Sequence, residues 1–421
     1  MRRTHEYGLS VDIGTSNVTL HLVRLSDIHV VFELVVPNPQ MRFGADIISR
    51  VTHSVRKREN AQQLTAFIRA AVQDGLAAIL KQLQLDPATI RKVVIVGNTV
   101  MHHLFFDLSV SSLAKAPYTA DAKAPVHMPA ANAGFTVLQD AECYSPPIVE
   151  SFIGADAPAM MLAAGFLEPR TNCIAMDIGT NTEIAVKSTD GVWIASAASG
   201  PAFEAMSMQC GMPGESGAIN TVQIDQDTLR PKCGTIGGER PRGVCGTGAI
   251  SALAAMLDRG IILPRGSLNR DLNSKWLSLN GSIAYYILVD NTASASGRQI
   301  VISQPDVRMI QQSKAAIRGV IGLLLHKARL DVEQVETLYV TGVFGSDLRI
   351  EDACRIGMLP RFPNATITRH SGGAIDGADL LMIPENRKKA EQLLTHLTYI
   401  EMAGSPAFES RYLASLPFPA Q

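Results

Sequence analysis

Two stretches of the chain have the make-up of a phosphate-binding turn: Asp12-Ile13-Gly14-Thr15 and Asp177-Ile178-Gly179-Thr180. Glycine lets backbone N–H groups approach an anion closely. Threonine adds a hydroxyl donor, and the residues that follow extend the set: Ser16 and Asn17 in one copy, Asn181 in the other. An aspartate closing a strand reaches phosphate without repulsion only through a hydrated Mg2+. A single copy would equally suit a turn capped by an aspartate. Two copies 165 residues apart point instead to two related domains whose loops clamp one nucleotide from opposite sides. Asp12 and Asp177 are therefore expected to act in catalysis, contacting Mg2+ through water and positioning the attacking water. Gly14, Thr15, Ser16, Asn17, Gly179, Thr180 and Asn181 are expected to hold the phosphates.

Each turn needs a hairpin to present it, and the flanking residues supply one. Residues 9–12 and 18–25 read as strands around the first turn, and 173–177 and 184–187 around the second. Between them, residues 61–83 carry apolar side chains at helical spacing, ended by Asp86-Pro87. Residues 93–96 read as a short buried strand, turning through Gly97-Asn98-Thr99 into a helix. Residues 117–147 hold five prolines and read as loop. The alanine-rich stretch within 149–167 should be a helix near the crossing between domains 1–165 and 166–421, with the C-terminal segment open to packing back on the first. In the second half, residues 249–259 and 306–328 read as helices, with Gly260 placed to cap the first. Residues 338–341 read as a strand ending at Gly342.

Several further groups could serve a nucleotide. Glu183 and Glu204 are carboxylates able to orient water, though Glu183 would also suit a solvated strand face. Gly246, Thr247 and Gly248 precede a helix, where N–H groups attract anions; close strand–helix packing would ask for the same small residues. Lys314 and Arg318 stand four apart on one helix face, as a solvated basic face also would. His102 and His103 are adjacent, about 100° apart on a helix, and are expected to share no metal.

The bulk composition narrows the class. The 421 residues exceed the size of one core, so two domains are expected. Hydrophobic residues make up 46% and charged residues 18%, with mean hydropathy +0.12, which fits a globular chain. A net charge of −1 gives no reason to expect a nucleic-acid or membrane partner. No run approaches the ~20 apolar residues of a membrane span, and no signal peptide is read, so a cytoplasmic location is expected. The six cysteines, Cys143, Cys173, Cys210, Cys233, Cys245 and Cys354, include no Cys-x-x-Cys pair. They read as reduced thiols rather than cluster ligands.

The paired turns resemble the phosphate motifs of the actin/hexokinase/Hsp70 ATPases, which implies two duplicated ribonuclease-H-like α/β domains with a nucleotide cleft between them. Leu338-Tyr339-Val340-Thr341-Gly342-Val343-Phe344-Gly345 resembles that superfamily's adenosine motif, so Gly342 and Gly345 are expected at the nucleoside; Val343 stands where a second glycine is usual. The superfamily also places an acidic residue near the metal at the domain crossing, for which Glu150 and Asp156 both qualify.

A closer resemblance spans nearly the whole chain. Asn38-Pro39-Gln40-Met41-Arg42-Phe43-Gly44-Ala45-Asp46-Ile47-Ile48-Ser49-Arg50 is similar to the reductive activators of corrinoid-dependent proteins. So are Val96-Gly97-Asn98-Thr99-Val100-Met101-His102-His103, Ser199-Gly200-Pro201-Ala202-Phe203-Glu204 and Gly243-Val244-Cys245-Gly246-Thr247-Gly248. Ser313-Lys314-Ala315-Ala316-Ile317-Arg318 and Ser405-Pro406-Ala407-Phe408-Glu409 match as well. The resemblance implies an ATPase that couples ATP and Mg2+ to reduction of cob(II)alamin on a partner corrinoid protein of a methyltransferase system, as a homodimer, with Lys314 and Arg318 facing the nucleoside. Such activators carry an iron–sulfur domain. The cysteine spacing here gives none, so no iron–sulfur cluster is expected in this chain, and electrons would come from a separate ferredoxin-like protein. A small-molecule kinase and a non-catalytic nucleotide-binding regulator are the alternatives on the same fold.

Overall fold

The computed structural model describes residues 5–420 apart from 45, 117, 169–170, 205–206 and 343–346. They form two compact units, residues 1–170 with 372–399, and residues 171–371 with 400–421.

The first unit is built on a sheet in the order β3-β2-β1-β4-β6-β5. Its strands are β1 (Tyr7–Ile13), β2 (Asn17–Arg24), β3 (His29–Pro37), β4 (Ile90–Gly97), β5 (Val126–Pro129) and β6 (Glu142–Ser145). β1 to β3 form an antiparallel meander, while β4 runs parallel to β1 and β6 parallel to β4. Helices α1 (Ile47–Ser54), α2 (Arg58–Leu83), α3 (Thr99–Phe105), α4 (Asp156–Ala163), α8 (Gly373–Leu380) and α9 (Pro384–Thr395) cover it. Leu20 of β2 meets α2 at Gly75, whereas the next residue, His21, meets α8 at Asp379. Because strand side chains alternate, α2 and α8 lie on opposite faces. Both faces of β1 are thereby buried, which is why Leu9, Ser10, Val11 and Ile13 are all inaccessible.

The periodicity of α2 is as the sequence predicts, with Leu64, Ile68, Val72, Leu76 and Ile79 buried; the helix starts three residues earlier. The proline-rich stretch 117–147 differs from its reading as loop, since it contains β5 and β6. Pro129 is tolerated because β5 is the edge strand, where a missing N–H breaks no ladder. Half the residues of α8 are glycine or alanine: a Cβ on Gly377 would fall on the carbonyl of Ala159 in α4, so the two helices touch backbone to backbone. At the same helix His21 Nδ1 bonds Asp379 Oδ2 at 2.8 Å. Burial opposes charge on His21, but Asp379, Glu33 and Asp376 together outweigh it and hold the imidazole above its ordinary value.

The second unit repeats the plan. Within it β7 (Cys173–Ile178), β8 (Thr182–Ser188), β9 (Gly191–Ala197), β16 (Thr337–Gly342) and β17 (Thr366–Arg369) run in the order β17-β16-β7-β8-β9. Two small sheets are added: β10 (Ala218–Ile224), β11 (Pro231–Thr235) and β12 (Gly243–Val244), then β13 (Leu277–Asn280), β14 (Ile283–Val289) and β15 (Ile300–Ser303). Helices α5 (Gly246–Asp258), α6 (Gln304–Ala328), α7 (Ile350–Arg355) and α10 (Pro406–Ser415) complete it. A Ser303/Asp306 capping box starts α6, and Gly260 takes the left-handed φ of 64° after α5. Strand directions match as well as order. β7-β8-β9 is an antiparallel meander and β16 and β17 run parallel to β7, as β1-β2-β3, β4 and β6 do in the first unit. The duplication suggested by the two turns is thus a duplication of whole sheets, an α/β fold of the actin/hexokinase type.

α3 packs His102 and His103 into the first core, at 1% and 0% exposure. Neither ring nitrogen of His102 has a hydrogen-bond partner among the described residues, and burial pushes its pKa down to about 3. In the unfolded chain the same ring takes a proton near pH ~6.5. Below that pH the unfolded state binds more protons, so stability is lost as pH falls. At about pH 5 the loss from this group is about 2 kcal/mol. Urea midpoints measured at about pH 7.5 and about pH 5 should drop accordingly, and His102→Phe should flatten the difference. An equal drop in the variant would refute the assignment.

Candidate nucleotide site

In the first unit the turn joins Ile13 to Val18, in the second Ile178 to Thr182, so the first copy is one residue longer. Both turns are held by their carbonyls. Gly14 O accepts from Asn38 Nδ2 at 2.8 Å, Thr15 O from Arg50 Nη2 at 2.5 Å, and Ser16 O from Asn38 N at 2.8 Å. In the second copy Gly179 O accepts from Ser199 Oγ at 3.0 Å and Thr180 O from Gly200 N at 2.8 Å. A trans peptide points its C=O and N–H in opposite directions. Drawing these carbonyls into the protein turns the N–H groups of Thr15, Ser16, Asn17, Thr180 and Asn181 the other way, as an anion requires.

Each aspartate is set between two neighbours on one sheet face. Asp12 stands opposite Thr19 and Val96, Asp177 opposite Glu183 and Thr341. Next to each, the parallel strand ends in glycine: Ile13 pairs Gly97 and Ile178 pairs Gly342. A Cβ on Gly97 would lie 2.8 Å from Ile13 O, and one on Gly342 would meet Ile178 O and lie 2.5 Å from Asp177 Oδ1. Gly97 is therefore the counterpart of Gly342, an equivalence the sequence reading missed although both residues end strands there. Asp177 is desolvated enough for burial to push its carboxyl up to about 6. The glycine beside it lets the carboxylate sit against the end of β16, and a desolvated carboxylate so placed gains from a cation, so the donor present fits Mg2+ bound through water.

Glu183 accepts from Ser196 Oγ at 3.1 Å, which fixes its carboxylate beside Asp177. Glu150 is taken up by Lys123 at 2.5 Å. Asp156 begins α4, and Ala155 before it donates to Gly97 O at 2.9 Å, while Glu150 O accepts from Thr99 Oγ1 at 2.9 Å, so both acidic residues lie near the end of β4. Gly345 and Val343 lie outside the described residues, as does the side chain of Glu204. Gly248 touches Ile219, whose carbonyl an added Cβ would strike, so its smallness serves the packing of α5 on β10. Thr247 is buried with its hydroxyl 3.2 Å from Cys245 Sγ. Lys314 is 1% exposed and donates to Ser415 O and Pro417 O, both at 2.6 Å, with the Phe418 ring 5.0 Å away. Burial pushes its ammonium down to about 7 and lowers the half-buried Arg318 as well. The structure thus brings Asp177, Gly179, Thr180, Glu183 and Gly342 together, and commits Lys314 to the tail backbone.

The braces of the turns were also missed as functional residues. Asn38, Arg50, Asn98 and Ser199 all lie in the strings quoted for the resemblance, which was the available signal. Asn98 donates to Thr15 Oγ1 at 3.4 Å. Arg50 is fully buried, its guanidinium pushed down to about 10 by desolvation, and it also bonds Gly44 O and Met101 Sδ.

Residues 171–421 match the family described as the C-terminal, ASKHA domain of RACo, and residues 7–168 match the RACo middle region. The chain belongs to the RACo family. Among relatives of this RACo-family chain is the corrinoid activation enzyme RamQ of Eubacterium limosum, 27% identical over 420 residues, which are 98% of this chain and 70% of the relative. A second is the [Co(II) methylated amine-specific corrinoid protein] reductase of Methanosarcina barkeri, 26% identical, with 99% and 77% covered. The solved structure of a reductive activator for corrinoid, iron–sulfur protein superposes with a TM-score of 0.85 at 27% identity, covering 100% of this chain and 67% of that one.

Proposed function

We propose that this chain is an ATP-hydrolysing reductive activator: it couples ATP turnover to one-electron reduction of cob(II)alamin to cob(I)alamin on a partner corrinoid protein of a methyltransferase system. The observation that carries the reading is the repeated turn whose carbonyls are drawn inward, in a chain similar along its length to a corrinoid activation enzyme. Gly14, Thr15, Ser16, Asn17, Gly179, Thr180 and Asn181 donate to the phosphates, and the N-terminus of α5 at Gly246 adds to them. Asp12 and Asp177 hold Mg2+ through water; the metal neutralises phosphate charge. Asp177, with Glu204 and Glu183, orients the attacking water. Gly342 and Gly345 border the nucleoside. Electrons come from a separate ferredoxin-like protein, a reading supported by cysteines that are scattered in sequence and whose thiols, at Cys143, Cys173 and Cys233, burial pushes well above their ordinary value. The working form is a cytoplasmic homodimer. Among the described residues no helix is long and apolar enough to cross a membrane.

The test follows cob(II)alamin absorbance on a candidate corrinoid protein, together with phosphate release. Reduction is expected only with the chain, ATP and a reduced ferredoxin all present. Asp177→Asn should slow both readouts by about 100-fold or more, the scale of losing a charge-stabilising catalytic group. Reduction independent of ATP would sink the proposal. A phosphorylated small molecule formed in step with ADP would point to a kinase, and tight ATP binding without phosphate release to a regulator.

A further inference from the structure

α8 brings a second set of ligating groups to the first unit. His21 of β2 and Asp376 and Asp379 of α8 each offer one ligand atom, and the three atoms lie within 4.8 Å of one another. The two aspartates are three residues apart and so share a helix face. The side chains of His21 and Asp379 are each 7% exposed. Asp379 Oδ2 takes the 2.8 Å bond from His21 Nδ1, but Oδ1 is equally enclosed and has no hydrogen-bond partner among the described residues. Such an oxygen is costly to leave bare. One imidazole faces three carboxylates, and among the described residues no lysine or arginine pairs with Asp379. The other ring nitrogen, Nε2, looks toward Glu33 Oε2 at 3.9 Å on the neighbouring strand. A metal-bound histidine characteristically has a carboxylate at its second nitrogen, fixing tautomer and orientation.

We propose that His21, Asp376 and Asp379 form a site for a divalent cation of the zinc or manganese kind, with Glu33 orienting the imidazole. One imidazole nitrogen and two carboxylate oxygens suit such an ion better than the all-oxygen shell of Mg2+ or Ca2+. The ion occupies the position of the His21–Asp379 bond and gives Asp379 the cationic partner it lacks. Its role is structural: it clips α8 to β2, joining residues 358 positions apart in sequence. The site is separate from the nucleotide turns and does not depend on the function proposed for them.

The experiment uses the full chain, stripped with a chelator and titrated with ZnCl2 and, separately, MnCl2. One ion per chain is expected to bind, and the melting temperature should rise by several degrees with ion concentration. Asp376→Asn should weaken binding at least about tenfold, and so should Glu33→Gln, whose exposed side chain poses no folding risk. X-ray absorption at the bound zinc should show only nitrogen and oxygen neighbours. A sulfur shell would assign the ion to cysteines and overturn the proposal. So would binding unchanged in both variants. Failure of the unsubstituted chain to bind either ion would leave His21–Asp379 a plain ion pair and equally overturn it.

Discussion

Gly342→Ala should cost about 100-fold or more in ATP hydrolysis while leaving the chain folded. The added Cβ would fall on Ile178 O and 2.5 Å from Asp177 Oδ1. It would also sit on a backbone at φ 102°, where a non-glycine residue pays roughly 1–3 kcal/mol of strain. Ile178 O is backbone and cannot step aside, and the Asp177 carboxylate can do so only by leaving its place. β16 must shift away from β7 at the very residue that sets the Asp177 carboxylate, and a misplacement of about 1 Å is enough for a loss of that order. The core of this unit, between α6 and the sheet, loses no side chain, so circular dichroism should remain while the melting temperature falls by the several degrees that such strain implies. Phosphate release within about threefold of the parent would refute the role given to Gly342. Gly97→Ala should have a similar, smaller effect through the first turn, because its closest contact, Ile13 O at 2.8 Å, is less severe.

Gly377→Ala should unfold the first unit more easily, by about 3 kcal/mol or more. Overpacking a tight core costs ~1–3 kcal/mol when neighbours can adjust. Here the obstacle is the Ala159 carbonyl within α4, so the two helices must separate as bodies. Asp379, two residues on, would lose register with His21. The urea midpoint reports the change. Gly281→Ala is the control: its φ is 60° but nothing lies within 4 Å, so only the ~1 kcal/mol of backbone strain applies. Equal destabilisation by the two substitutions would show that the α4–α8 contact is not what Gly377 protects.

These two glycines also mark where sequence reading stops. The Asp-Ile-Gly-Thr hairpins were legible because turn chemistry is local, and α2 and α6 because burial at three- and four-residue spacing leaves a period. The partners of the turns were not. Asn38 and Arg50 reach Gly14 and Thr15 across 24 and 35 residues, and a side chain bonding a distant carbonyl leaves no periodic trace. Gly97 and Gly342 are equivalent only once β4 and β16 are seen to run beside β1 and β7. The resemblance implies a Lys314 facing the nucleoside and its charge a solvated face, whereas its ammonium is buried and capped by two tail carbonyls. α8 was not recognised because helices that touch backbone to backbone are made of glycine and alanine, which carry little amphipathic signal.

The place of α8 in the first unit also governs the order of events during synthesis. Residues 171–371 must leave the ribosome before residues 372–399 can cover the far face of β1 and β4. At 5–20 residues per second that interval is roughly 10–40 s. Throughout it the nascent first sheet carries an uncovered apolar face, with Gly8 lacking Met382 above it and Ala159 lacking Gly377. The second unit in turn waits for residues 400–421, so the domain that begins the chain stays open until nearly the whole chain has been made, and a holdase that shields an unfinished sheet would find its client there.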